Sequence, residues 1–146
     1  MKNTKSFVIG AFALVLLGGG CMSAPENITV EIEVPTRVEV GEQFNVIANI
    51  TNTGSDAQEL NSIDIGDEYL EGVIIYGSEP AYSETFHVPI DNTISHSMMH
   101  SIEAGETLSV SFDAEALIEG DYSGAFDVCV NGPVSCLYYS IRTLVE

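Results

Sequence analysis

Apolar and polar residues alternate with a period of two over most of the chain after residue 27. The alternating rows run over residues 28–34, 44–50, 108–114, 122–130 and 137–145, and turn-forming segments with Gly, Asn or Pro separate them. This period is typical of half-buried β-strands, whereas an amphipathic helix repeats every 3.6 residues. The pattern predicts one all-β domain, an antiparallel β-sandwich of seven to nine strands. We expect helical structure only as single turns near residues 67–71 and 114–118.

The first twenty residues have a different pattern. Lys2 and Lys5 precede a stretch without any charge, residues 6–20, which ends in three glycines. A short basic segment followed by an apolar one is the pattern of a secretory signal. The apolar stretch is shorter than the ~20 residues that a membrane-spanning helix needs. The sequence therefore predicts export, with residues 1–20 as the signal peptide.

The end of this segment resembles a bacterial lipobox, in which small residues precede a cysteine that is lipidated and becomes the new N-terminus. Residues 16–21 read LLGGGC, so that Cys21 is the lipidation candidate. The family pattern has Leu three residues before the cysteine, where this chain has Gly18. Ordinary cleavage near Ala24 is the alternative. The resemblance implies a Cys21 carrying acyl chains such as palmitate, stable anchoring through two or more chains, and a short tether over residues 21–27.

The charge of the chain is strongly acidic and excludes one class of partner. The formal net charge is −18, from 22 acidic residues against 4 lysines and arginines. If the chain is cut before Cys21, only Arg37 and Arg142 remain as cations. Nucleic acids are bound mainly through Lys and Arg contacts to phosphates, so we expect no nucleic-acid binding. Anionic lipid surfaces would repel the domain too, which favours a lipid anchor over electrostatic adhesion.

Two cysteines remain after Cys21, in the segment DVCVNGPVSCLYY. A hairpin that places Cys129 opposite Cys136 also pairs Val128 with Leu137 and Phe126 with Tyr139 on one side of the sheet. Asp127 and Tyr138 then share the side of the cysteines. One register thus accounts for a disulfide and for an apolar face. Two free thiols or half of a zinc site are the alternatives, but the spacing is poor for zinc.

Three segments resemble the immunoglobulin-like, CARDB-type adhesion modules of bacterial and archaeal surface proteins. They read VEVGEQFNVIANITNTGS over 38–55, AGETLSVSF over 104–112 and EGDYSGAFDVCV over 119–130. The resemblance implies an immunoglobulin-like sandwich that serves as a rigid spacer or protein-binding module, without catalytic residues. It also implies that Tyr122 is a tyrosine corner, whose hydroxyl bonds the preceding loop. Between Leu60 and Ile102 the resemblance is weak.

The middle of the chain contains all three histidines. On a strand over 94–102, His96, Met98 and His100 would share one face, and His87 precedes them. Histidine and methionine two residues apart could share one soft ion such as Cu(I). The alternative is an edge segment with solvated histidines and methionines packed on the core. In the same region, we expect the acidic residues of 64–71 to form a solvated loop rather than a calcium site.

These observations predict a function class without naming a ligand. We expect a lipid-anchored extracytoplasmic module with a non-enzymatic binding or structural role at the cell surface and no cofactor. The expected partners are the membrane, through the N-terminal lipid, and another surface protein or envelope component. The alternative is a small extracytoplasmic copper-binding protein that uses the residues of 96–100.

Overall fold

The computed structural model describes residues 23–146, and the predicted signal peptide and Cys21 lie outside the described residues. This part contains ten strands and one short helix, which in chain order are β1 (Ile28–Glu33), β2 (Arg37–Val38), β3 (Gln43–Asn52), β4 (Gln58–Gly66), α1 (Asp67–Leu70), β5 (Val73–Glu79), β6 (Glu84–Val88), β7 (Thr93–Ile102), β8 (Thr107–Ala116), β9 (Gly120–Val130) and β10 (Cys136–Val145). No helix in this part has the length and apolarity that crossing a membrane requires.

The strands form two sheets that face each other. One sheet has four strands in the order β1-β3-β8-β5, and the other has six in the order β2-β10-β9-β4-β7-β6. All neighbours pair antiparallel except β2, which pairs parallel with β10. The predicted immunoglobulin-like sandwich is confirmed as a class. The strand count is ten rather than seven to nine, because the two-residue β2 is too short to give an alternating row.

The core lies between the sheets and is built from the alternating rows. In β3, Val46, Ala48 and Ile50 are fully buried, and in β8 the same holds for Val110 and Phe112. Apolar side chains two positions apart in such rows point to the same face of the strand, so that each sheet contributes a continuous apolar layer. The hydrophobic effect of burying these two layers holds the sandwich together.

Helix α1 confirms the helical turn predicted near residues 67–71, whereas the turn predicted near 114–118 is wrong. Strand β8 continues to Ala116, whose N–H donates to the Glu42 carbonyl at 3.0 Å. In α1, Tyr69 is fully buried. Its hydroxyl lies 3.0 Å from Thr143 Oγ1, and Thr143 donates to the Pro35 carbonyl at 2.9 Å. Tyr69 therefore donates to Thr143, and this polar chain inside the core is satisfied.

Tyr122 forms the predicted corner. Its hydroxyl donates to the Glu119 carbonyl at 3.3 Å, which lies in the turn that precedes β9. The ring packs against the backbone at Gly72, where an added Cβ would come within 2.0 Å of the ring. Only glycine fits there, so the segment between α1 and β5 is fastened to the start of β9.

The β9–β10 hairpin has the predicted register. Cys136 lies opposite Cys129, Leu137 opposite Val128 and Tyr138 opposite Asp127. The two cysteines form a disulfide. Asn131 and Gly132 have φ angles of 60° and 147°, and this positive φ at both positions allows the chain to reverse tightly. The hairpin is thus closed by a tight turn and cross-linked next to it.

Candidate functional site

The outer face of the six-stranded sheet, which points away from the core, carries a row of five side chains from five strands. In register, they are Tyr138 on β10, Asp127 on β9, Asp64 on β4, Ser95 on β7 and Phe86 on β6. Neighbouring strands lie about 4.8 Å apart, so the row crosses roughly 19 Å of sheet. Two aspartates therefore stand directly opposite each other, with a ring at either end of the row.

This row lies in a groove with a volume of about 370 Å³, which we call the acidic groove. One wall is the β6–β7 hairpin with Val88 and Ile90, and the other is the β9–β10 hairpin with Pro133 and Val134. In the middle of the row Ser95 and Asp127 are buried, whereas Phe86 and Tyr138 at its ends are exposed. A volume of this size lies within the ~300–1,000 Å³ range of ligand sites in proteins.

The two aspartates of the floor lack hydrogen-bond donors. Asp127 is 9% exposed, and its carboxylate has no hydrogen bond or ion pair with any side chain or backbone group of residues 23–146. Oδ1 of Asp64 is buried, and within this same range it has no partner either. Cys129 Sγ lies 3.8 Å from Asp64 Oδ2, but a disulfide sulfur carries no proton to donate. Buried polar groups are nearly always paired, so Oδ1 of Asp64 is an exception that calls for a partner.

Burial and, to a smaller extent, the negative charges of Asp64 and Asp91 together raise the pKa of Asp127 to about 6. Desolvation disfavours the charged carboxylate, and so do nearby like charges. Opposed like charges on neighbouring strands are destabilising. The opposed pair of Asp64 and Asp127 therefore does not stabilise the folded state.

The cations of the described chain are engaged elsewhere. Residues 23–146 contain no lysine and two arginines. Arg37 Nη1 lies 3.1 Å from Glu146 Oε2, and Arg142 Nε donates to Asp121 Oδ1 at 2.7 Å. His87 Nε2 lies 2.7 Å from Asp67 Oδ2. A cation that neutralises the acidic groove thus does not come from this part of the chain.

The residues of the copper hypothesis lie in different surroundings. His96 is buried in the core, where its Nδ1 donates to the Ile63 carbonyl at 3.2 Å. Its ring contacts Tyr82 and Phe112 edge-on, with ring centroids 5.0 and 5.2 Å away. Burial lowers the pKa of His96, because a low-polarity environment disfavours the charged ring. His96 is therefore a hydrogen-bonded core residue.

The predicted face that joins His96, Met98 and His100 is interrupted. Met99 has a φ of 50°, and the pairing of β7 with β4 shifts register at this point. Such an insertion is a β-bulge, which changes the alternation of faces. Met98 is buried, whereas Met99 and His100 are exposed.

His87 is exposed and already bonded to Asp67. In the part of the chain from Ser23 onward, no group of three His, Cys, Asp or Glu side chains could hold a metal ion. The copper site thus gains no support from the placement of its four residues and stays a prediction. Lipidation of Cys21 stays a prediction as well, because Cys21 lies outside the described residues.

The sequence pattern pointed to only part of the acidic groove. It placed Asp127 and Tyr138 opposite each other, but it assigned Asp64 to a solvated acidic loop, which is wrong. Asp64 lies in β4 and is half-buried. The alternation of Ser62, Ile63, Asp64 and Ile65 is a strand signal that could have placed it. Which strand lies next to β4 could not be found from local pattern.

Comparison with known proteins supports the fold. An Escherichia coli α2-macroglobulin activated by porcine elastase is similar with a TM-score of 0.53 and 14% identity, covering 82% of this chain. This chain spans only 9% of that protein's length. AvmM, which catalyses macrocyclization in alchivemycin A biosynthesis, is similar with a TM-score of 0.52 and 13% identity over 84% of this chain and 91% of its own. At these identities the likeness concerns the fold alone.

A CARDB domain from Pyrococcus furiosus, solved in complex with di-metal ions, has a TM-score of 0.49 and 17% identity, covering 82% of this chain and 87% of that one. We draw no functional argument from it. No protein-family model matches the sequence. No curated protein matches it. The immunoglobulin-like fold is the confirmed part of the predicted resemblance, whereas the lipoprotein character and a CARDB-type role stay predictions.

Proposed function

We propose that the protein is a lipid-anchored extracytoplasmic binding module without catalytic activity of its own, and that its partner binds at the acidic groove. The observation that carries this proposal is the pair Asp64 and Asp127: Oδ1 of Asp64 is buried without a partner, and Asp127, 9% exposed, has no donor within residues 23–146. An arrangement that weakens the folded state and lies in a groove is typical of a binding site rather than of a structural element. The partner class that we propose is another surface protein or an envelope component.

The start of the described chain supports a groove close to the membrane. The Ser23 carbonyl accepts a hydrogen bond from Ser135 Oγ at 3.4 Å, and Ser135 belongs to the β9–β10 hairpin that forms one wall. Two residues reach at most about 7 Å. If Cys21 carries the lipid, this wall of the groove lies near the membrane surface, where a membrane-associated partner is within reach.

The anchor is tested by the Cys21→Ser variant in a bacterium that processes lipoproteins. We expect the wild-type protein in the membrane fraction and the variant in the soluble extracytoplasmic fraction, because no helix of residues 23–146 could hold it in a bilayer. The measurement is fractionation with a high-salt wash, followed by mass spectrometry of the N-terminal peptide. A variant that stays with the washed membranes would contradict the lipid anchor.

The binding role is tested by site-specific photo-crosslinking in the cells that make the protein. A benzoylphenylalanine replaces either Tyr138 in the groove or Tyr76 on the other sheet, two tyrosines that are both exposed. We expect a discrete crosslinked species from position 138 that is absent from position 76. Equal crosslinking from both positions, or none from position 138, would contradict a partner at the groove.

A further inference from the structure

We propose that the acidic groove binds a lysine or arginine side chain presented by a partner protein, with the cationic head at Asp64 and Asp127. This inference rests on the proposed binding function and adds the chemistry of the ligand. The groove offers two neighbouring carboxylates without donors at its floor and apolar side chains on its walls. A long side chain with a cationic head and an apolar stem complements this arrangement, with its charge at the floor and its apolar part along the walls.

The charge of the ligand follows from the floor. Directly opposed aspartates repel each other, and a bound cation would convert this repulsion into two charge-assisted hydrogen bonds. The arginines of residues 23–146 are paired at other sites. Residues 23–146 therefore do not supply the cation, and we assign it to a partner.

An organic cation fits the groove better than a metal ion does. Calcium takes 6–8 oxygen ligands, and magnesium keeps several waters. Within the part that the structure describes, no group of three acidic, histidine or cysteine side chains converges on one point. The groove instead has rings at the ends of the row, Phe86 and Tyr138, against which a guanidinium or an alkyl-ammonium group can pack.

The exposure of the rim indicates that a protein supplies the cation. Ile90 is 87% exposed, Tyr138 67% and Val134 60%. A small cation seated on the floor would leave these apolar side chains in water. A peptide segment on either side of a basic residue would cover them, and exposed apolar patches of this kind mark protein interaction sites. We therefore assign the groove to a basic side chain with apolar neighbours.

The test uses the full-length protein in a non-ionic detergent at pH 8 and about 150 mM salt, which screens long-range attraction to the acidic surface. The probe is the peptide acetyl-Ala-Leu-Arg-Leu-Ala-amide, and its matched control has citrulline, an uncharged analogue of arginine, at the central position. Calorimetric titration gives the affinity, and NMR shifts of the Asp127 and Tyr138 amides locate the site. We expect saturable binding of the arginine peptide and at least about tenfold weaker binding of the citrulline peptide.

Matched variants separate the groove from the overall charge. Asp127→Asn and Asp64→Asn should each weaken binding at least about tenfold, since each removes one charged acceptor. Glu31→Gln removes the same charge from the exposed face of β1 and should change the affinity less than about twofold.

Four results would overturn the proposal. They are no saturable binding, equal affinity for the citrulline peptide, equal loss with Glu31→Gln, and methylguanidinium binding as tightly as the peptide, which would make the ligand a small cation. Crosslinking from position 138 without peptide binding would leave the binding role intact and remove only this ligand chemistry. Specific peptide binding without crosslinking would leave the ligand chemistry intact and contradict a partner at the groove in the cells that make the protein.

Discussion

Two polar sites, one on each face of the six-stranded sheet, differ in whether their groups are paired. On the inner face, Tyr69 donates to Thr143 and Thr143 donates to Pro35, so each hydroxyl proton has an acceptor. On the outer face, Asp64 and Asp127 are opposed carboxylates for which no donor exists within residues 23–146. The first site is arranged for stability, because its desolvated groups are paired. The second lacks this compensation, which is why we assign it to binding.

The largest expected difference in stability is between two phenylalanine-to-alanine variants, one on each face of the six-stranded sheet. Phe126 is fully buried on the inner face, with its ring centroid 6.2 Å from that of Phe112, whereas Phe86 is half-exposed at the groove. Phe126→Ala should lower the free energy of unfolding by about 3–5 kcal/mol, through lost burial and a cavity. Phe86→Ala should lower it by less than about 1 kcal/mol. Urea unfolding of both variants measures this, and equal losses would contradict the assignment of the two faces.

The disulfide should contribute the next largest effect. It links Cys129 and Cys136 across a short hairpin, so its entropic contribution is modest. Replacing both cysteines by alanine should lower the free energy of unfolding by about 2–3 kcal/mol. The unfolded wild-type protein should react with no thiol reagent at these two positions unless a reductant is present. Stoichiometric labelling of both without reductant would contradict the bond.

Removing the charge of Asp127 on the outer face should raise the free energy of unfolding, whereas the two changes above lower it. The pKa of Asp127 is raised to about 6 from an ordinary 3.8, so the folded state binds the proton more tightly than the unfolded state. The contribution of Asp127 to stability is therefore fully present below about pH 4 and is lost as the pH rises through 6. Asp127→Asn removes this loss and should raise the free energy of unfolding at pH 8 by about 1–3 kcal/mol.

Three neighbours of Asp127 set the pH dependence. They are Asp64 on β4 and Asp91 in the β6–β7 hairpin, whose negative charges raise the pKa of Asp127, and Tyr138, its cross-strand neighbour on β10. Thermal unfolding from pH 4 to pH 8 measures the difference between wild type and Asp127→Asn. A variant that is less stable than wild type at pH 8 would show that Asp127 is a structural residue.

The smallest effect concerns the inner polar site. Tyr69→Phe removes a hydroxyl that donates to Thr143, while Thr143 keeps its bond to Pro35. The loss should be about 1 kcal/mol, the net contribution of one hydrogen bond. Equilibrium unfolding at pH 7 tests it, with Tyr76→Phe on the exposed face of the other sheet as the control. A stabilised Tyr69→Phe variant would remove the contrast between the two sites.

Local pattern was sufficient for the features that depend on near neighbours. The period of two located the rows around Val46 and Val110, and the hairpin register followed from matching Val128 with Leu137. The residues of the groove were harder, because β4 and β9 are distant in sequence and only the sheet order joins Asp64 to Asp127. The bulge at Met99 has no periodic signal, since one added residue shifts the faces without changing composition.

The most direct test of the central claim is the pKa of Asp127 in the folded protein. Carboxyl carbon chemical shifts, followed by NMR from pH 3 to pH 9, report the protonation of each aspartate separately. We predict an apparent pKa of about 6 for Asp127 in the free protein. It should fall when the arginine peptide is bound, because a cation favours the charged carboxylate. An Asp127 that titrates near 3.8 in the free protein and is unmoved by the peptide would contradict the account.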